Sequence, residues 1–349
     1  MSHAVYINYE ALSIECRSIC EVASKQLCRI DELLTKIDKK STSLQGDETE
    51  GMKHALKEQA ALIRSRIDEI NKGYNVNAAR ELSREVNAFT TNGIAGYEAL
   101  LDGLLSSKMK DRAHEMKMRL SGATAHDKDF SHALSKITDE VLKGYIYMEW
   151  LDDTNAGKSF EELKGLAEDR MNNAKENYFR NEQKRIIGEM ESDMRDAKLD
   201  DETIASVMAI ENADVRTRIE QMRRKATDEI VGEAVRKKTL KAIIDCIEKK
   251  GFIVDRKNIK HQKEKNEVKM VAQKASGERA DFTIMLDGKF IYHFDGYEGH
   301  ACQEDIQPFM KDLEDIYGIK VVDQKEIWKN PDKISTQKYQ QMKTRTNKD

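Results

Sequence analysis

The sequence predicts a mainly α protein, an elongated helical bundle with coiled-coil arms, followed by a small α+β module on a three- to four-stranded antiparallel sheet. Over about 240 residues the apolar positions step by three and four, which places them on one side of a helix. Both prolines, Pro308 and Pro331, fall near the end, so no ring chemistry breaks a helix before them. From Phe282 to Phe294 the apolar period becomes two, the pattern of strands buried on one face. On this reading residues 1–239 form the helical body, 240–334 the module and 335–349 a polar tail.

The composition sets the terms. Only 39% of the 349 residues are apolar and 6% aromatic, while 35% are charged, against about 25% charged in ordinary globular chains. Such a chain has a thin core and long solvated helices. A net charge of -4 gives no overall attraction to nucleic acid or to an anionic membrane. The basic run from Arg256 to Lys274 and the stretch from Lys338 to Lys348 read as solvated faces, so nucleic acid is not the favoured partner. No secretory segment and no apolar run of membrane-spanning length occurs, and the five cysteines are an odd number. A reduced, cytoplasmic protein is expected. Cys16, Cys20 and Cys28 share one helix face and lack the spacing of a zinc knuckle, so neither metal nor cofactor is expected.

Taken in order, Val5, Ile7 and Tyr9 alternate, which fits a short strand or an extended lead-in. Leu12 to Ile37 then carries a helical stripe, and Met52 to Ile70 rebuilds one that stops at Gly73, with a turn over Ser41 to Gly46 between them. A third helical segment runs from Asn77 to about Leu120; Gly93 and Gly96 weaken it and predict a kink or a close helix contact near Thr91 to Gly96. Ser121 to Lys128 interrupts the pattern, and Phe130 to Leu151 resumes it with Tyr145, Tyr147 and Trp150, aromatics suited to a core contact or to a partner surface. Ser159 to Lys198 is polar almost all round, and its narrow apolar stripe suits a two-helix coil, hence a homo-oligomer. Leu199-Asp-Asp-Glu-Thr203 offers an aspartate cap with acidic first-turn residues for a helix that continues through Ile204 to Met222, and Ala234 to Gly251 ends on a glycine cap.

In the module, Phe252 to Asp255, Glu267 to Ala272, Asp281 to Leu286 and Lys289 to Phe294 read as strands, the last two joined at Asp287-Gly288. A two-residue loop would turn Phe282 and Ile284 away from Phe290, Tyr292 and Phe294. A three-residue loop with glycine in a bulge puts all five on one face, and burial favours it. Ile306, Phe309, Met310 and Leu313 then form a covering helix capped by Asp305, with Pro308 in its first turn and Gly318 closing it. Ile319 to Val322 returns as a strand, and Trp328 anchors the last turn.

The spacing Ile284-x-x-Asp287-Gly288-(x)7-Gly296-x-x-Gly299-x-x-Cys302 resembles a small uncharacterised bacterial domain found beside AAA-type ATPases. The likeness covers about 40 residues of the chain and implies a component of a bacterial multiprotein system. No activity comes with it.

For chemistry, Asp255 followed by Glu267-Val268-Lys269 has the acid, then acid-x-lysine order of restriction-endonuclease-like nucleases, where two carboxylates hold Mg²⁺ and the lysine helps activate water. Alternating Glu and Lys on an exposed strand is the plainer reading. Cys302, at a loop-to-helix junction near His293 and His300, has the setting of an activated thiol or of a packed structural cysteine. The expected function is a non-enzymatic scaffold or adaptor that self-associates and binds a protein partner, with an AAA-type ATPase as the candidate. Tyr145, Tyr147, Trp150, Tyr297 and Cys302 are its candidate contact residues, and the Mg²⁺ nuclease is the alternative.

Overall fold

The computed structural model describes residues 2–10, 12–41, 47–73, 75–105, 115, 125–262, 265–297 and 301–329. It is mainly α with one antiparallel sheet. Two compact units divide it, and each is discontinuous in sequence. One comprises Cys20–Glu69 and Ala78–Thr227; the other comprises Met1–Ile19, Ile70–Asn77 and Asp228–Asp349. The sequence predicts consecutive stretches, 1–239 and 240–334, and the observed units instead interleave along the chain. The stretch 335–349, read as a polar tail, lies outside the described residues.

The helical unit is built from most of α1 (Leu12–Ser41), α2 (Asp47–Gly73) and α3 (Val76–Ala88), from α4 (Ile94–Leu105), α5 (Ala125–Ser135), α6 (Glu140–Leu151), α7 (Phe160–Asp196) and α8 (Asp201–Met208), and from the first part of α9 (Val215–Lys249). Cys16, Ile19, Ala23, Leu27, Ile30, Leu33 and Ile37 are buried at the expected three- and four-residue steps of α1. Between α3 and α4, where a kink or a close helix contact was expected, the chain forms a π turn over Phe89–Gly93 in which the Thr90 hydroxyl donates back to the Val86 carbonyl at 2.6 Å.

Two helices expected to be continuous are broken. Residues 136–139 separate α5 from α6, and the Asp139 carboxylate accepts from the backbone N–H of Val141 (2.9 Å) and Leu142 (3.1 Å). The segment expected to continue from Ile204 to Met222 stops at Met208; Asp214 then caps the next helix, accepting from Arg216 and Thr217 N–H at 3.3 and 3.1 Å. In both places an aspartate satisfies the free donors of a new helix start.

The thin stripe of α7 is filled from within the chain. Its Leu163, Ala167, Met171, Phe179, Ile186, Met190 and Met194 are buried, and α7 packs on α4 and α6. Burial of this helix therefore does not require a second copy. A full capping box starts it: Ser159 N–H and hydroxyl both donate to the Glu162 carboxylate, and Glu162 N–H donates to the Ser159 hydroxyl.

The sheet unit orders its strands β2-β4-β5-β6-β1-β7, with β3 also paired to β4. These are β1 (Ser2–Glu10), β2 (Ile253–Val254), β3 (Lys260–Gln262), β4 (Glu267–Gln273), β5 (Arg279–Met285), β6 (Phe290–Asp295) and β7 (Lys320–Lys329). Among the described residues there are seven strands, against the expected three or four. Beyond β2, β4, β5 and β6 they are β7, which extends the return expected at Ile319 to Val322, the short β3, and β1, which falls in the stretch expected to be the helical body and lies between β6 and β7.

The β5–β6 register is as burial required. Ile284 pairs with Phe290 and Phe282 with Tyr292, leaving the three-residue loop 286–288 with Gly288 at φ 78°. Phe282, Ile284, Phe290, Tyr292 and Phe294 are all buried on one face. Helix α10 (Cys302–Tyr317) covers them through Phe309, whose ring lies 5.6 Å from Phe282, 6.2 Å from Tyr292 and 6.3 Å from Phe294. The helix begins at Cys302, earlier than expected, so Pro308 sits inside it rather than in its first turn. Asp305 is not its cap, because its carboxylate is bound to Lys274 and Tyr297. On the C-terminal side Tyr317 donates to Asp245 of α9 at 3.2 Å, and Lys250 pairs with Asp312 at 2.8 Å.

Candidate functional site

Strand alternation sends one face of β4–β6 to the aromatic core and leaves the other half-exposed. On β4 the outward residues are Glu267, Lys269, Val271 and Gln273; on β5 they are Arg279, Asp281, Thr283 and Met285. The register aligns Val271, Asp281 and His293 in one row and Gln273, Arg279 and Asp295 in the next. At its centre Arg279 donates to Asp281 Oδ1 from Nε (3.0 Å) and Nη2 (2.7 Å), and His293 Nδ1 lies 3.9 Å from Asp281 Oδ2. Burial pushes the Asp281 carboxyl upward, but the nearby His293 imidazole and the hydrogen bonds from Arg279 outweigh it and hold its pKa below the usual range. The result is a guanidinium–carboxylate–imidazole row, flanked by Lys269 beside Lys260 and by Glu267 beside Gln262.

The three residues of the nuclease pattern lie on this outward side but are not brought together. Glu267 and Lys269 alternate with buried Val268 and Met270. Asp255 follows the Val254–Ala272 pair, which places it level with Val271, four residues along β4 from Glu267. At about 3.3 Å per residue that is roughly 13 Å, too far for two carboxylates to share one Mg²⁺ at about 2.1 Å. The Asp255 carboxylate accepts instead from Lys257 N–H (3.0 Å) and Asn258 Nδ2 (2.7 Å), capping a 3₁₀ turn. Among the described residues no group of three or more His, Cys, Asp or Glu is placed to hold a metal ion.

Tyr297 and Cys302 meet at the corner where the β4–β5 turn approaches the start of α10. Tyr297 OH donates to Asp305 Oδ2 at 2.6 Å, Lys274 Nζ reaches the same oxygen at 2.5 Å, and Lys274 stands 4.9 Å over the Phe252 ring. Burial, then the bond to Asp305, raises the Tyr297 pKa. Cys302 is buried in the first turn of α10. Gly296, at φ 86°, lets the loop pass so close that an added Cβ would sit 2.9 Å from the Gly277 carbonyl oxygen. Gly299 and His300 lie outside the described residues. In the helical unit Tyr145 is buried, and Tyr147 and Trp150 gather round buried Phe130, with ring centroids at 6.0 and 4.7 Å. These rings are spent largely on packing.

One constellation left no mark in the sequence reading. Four segments of the helical unit bring polar side chains to one level: Gln26 and Arg29 of α1, Asn87 of α3 with Thr90 of the π turn, Glu189 and Asp193 of α7, and Arg223 and Thr227 of α9. Asn87 Oδ1 accepts from Gln26 Nε2 (3.0 Å) and Thr227 Oγ1 (3.2 Å). Asp193 is held by Lys25 (2.9 Å) and Arg29 (3.2 Å), Glu189 by Arg185 (2.7 Å). Arg223 is 6% exposed, and its Nε and Nη1 have no hydrogen-bond partner. Burial, reinforced by the neighbouring Arg29, brings its pKa down to about 10. The only sequence signal for this level was the polar residue recurring at helical spacing where an apolar one was due.

No helix among the described residues is long and apolar enough to cross a membrane. No protein-family model, curated protein or solved structure matches the chain.

Proposed function

We propose that this chain is a non-enzymatic adaptor in a bacterial multiprotein system, and that it binds a protein partner, an AAA-type ATPase being the candidate, through the outward face of its sheet. The observation that carries this reading is the row Arg279–Asp281–His293 with Lys269 and Glu267 beside it. It is a half-exposed array of both charge signs on rigid strands, opposite the face that α10 covers. Paired and ordered charges of this sort favour orientation and partner choice over bulk hydrophobic adhesion. The resemblance of the 284–302 segment to a domain found beside such ATPases supplies the class of partner.

The test is binding of the purified full-length chain to a purified AAA-type ATPase, measured by interferometry alongside the ATPase rate. Reversing the outward charges with Lys269→Glu and Arg279→Glu together should weaken the complex at least about tenfold, as loss of well-placed interfacial pairs does. Circular dichroism controls for folding. Unchanged affinity in a folded variant removes the sheet face from the proposal.

A further inference from the structure

We propose that the helical unit binds a small oxyanion, the carboxylate or phosphate group of a soluble ligand, at Arg223 with Arg29 beside it. The argument starts from the charges at this level. Asp193 is already engaged by Lys25 and Arg29, and Glu189 by Arg185, with Arg29 at 4.0 Å as a second cation. Each acid that influences Arg223 thus has its own cation.

Arg223 is enclosed by the bundle, and two of its donor nitrogens make no hydrogen bond. A buried guanidinium without a counter-ion is strongly disfavoured, and this one remains protonated at neutral pH. Its planar fork suits a carboxylate or phosphate group, which accepts several such donors at once. A further buried hydroxyl without a hydrogen-bond partner, Thr91 Oγ1, belongs to the π turn that supplies Thr90 to the same level. Single π turns of this kind recur at functional sites.

The experiment is a thermal melt of the full chain, followed by Trp150 fluorescence in a Trp328→Phe background, in phosphate, acetate or chloride at equal ionic strength. Phosphate or acetate should raise the melting temperature of the parent by about 3 °C or more beyond chloride. Which of the two acts identifies the ligand's anionic group. Arg223→Met should abolish that difference and, in chloride, melt at or above the parent, because the enclosed charge is gone. If R223M does not fold, Arg223→Lys decides in its place: it keeps the charge but loses the fork and should lose most of the shift. No oxyanion-specific shift in the parent, or an equal shift in the folded variant, overturns the proposal.

Discussion

The contact between Phe309 and Phe282 offers the sharpest test of the sheet unit. Both rings are fully enclosed, with centroids 5.6 Å apart. Truncating a buried phenylalanine to alanine costs about 3–5 kcal/mol, the lost transfer free energy plus the cavity left behind. Phe309 sits against three rings of the sheet, so the upper half of that range is expected. A tilted aromatic pair adds about 0.5–1.5 kcal/mol beyond area burial, so the double variant should fall short of the summed single losses by about that much. The chain has two tryptophans. In a Trp150→Phe background the remaining one, Trp328, lies on β7, so urea unfolding followed by its fluorescence reports on the sheet unit. A loss under about 1 kcal/mol for Phe309→Ala, or strict additivity within about 0.5 kcal/mol, would refute the argument that α10 and the strands share one core.

Three further outcomes are expected. The folded pKa of Asp281 is depressed, so its contribution is present above the unfolded value of about 4 and disappears as pH falls through the folded value; Asp281→Asn should therefore flatten the acid limb of a urea-midpoint profile below about pH 4, and an unchanged limb would discard the charge row. Gly296→Ala meets both a left-handed backbone and a carbonyl oxygen, and should lower stability by about 2–3 kcal/mol in chemical denaturation. With nucleic acid and Mg²⁺, the parent and Glu267→Ala should behave alike in a gel assay, since the register keeps Asp255 and Glu267 apart; cleavage lost only in the variant would restore the nuclease.

What could be read beforehand followed from periodicity. The β5–β6 register was legible because a one-residue slip would have split five large side chains between the two faces. The stripe of α1 and the aspartate cap after Leu199 were legible for similar local reasons. The helix breaks before Asp139 and Asp214 were not, because the apolar stripe carries on across them and an aspartate signals a start only once its N–H partners are known. Arg223, Arg29 and Glu189 were invisible for a different reason. A charged residue on a polar helix reads as solvated, and only the arrival of three other segments encloses it. Similarly Tyr145 and Trp150 carry the same letters in a core as on a contact surface.

The placement of β1 sets the order of events during synthesis. Ser2 pairs with Lys329 and Glu10 with Lys320, so the sheet closes between strands about 310 residues apart along the chain. At roughly 5–20 residues per second, β1 waits from about 15 s to a minute on the ribosome before its partner is made. All the residues of the helical unit emerge in that interval, whereas the sheet unit must assemble afterwards from the two flanks. Loop-closure entropy grows only slowly with length, but contacts this distant slow folding. Until β6 and then β7 are made, β1 is an unpaired strand in search of an edge, the kind of species that chaperones hold and that aggregates capture.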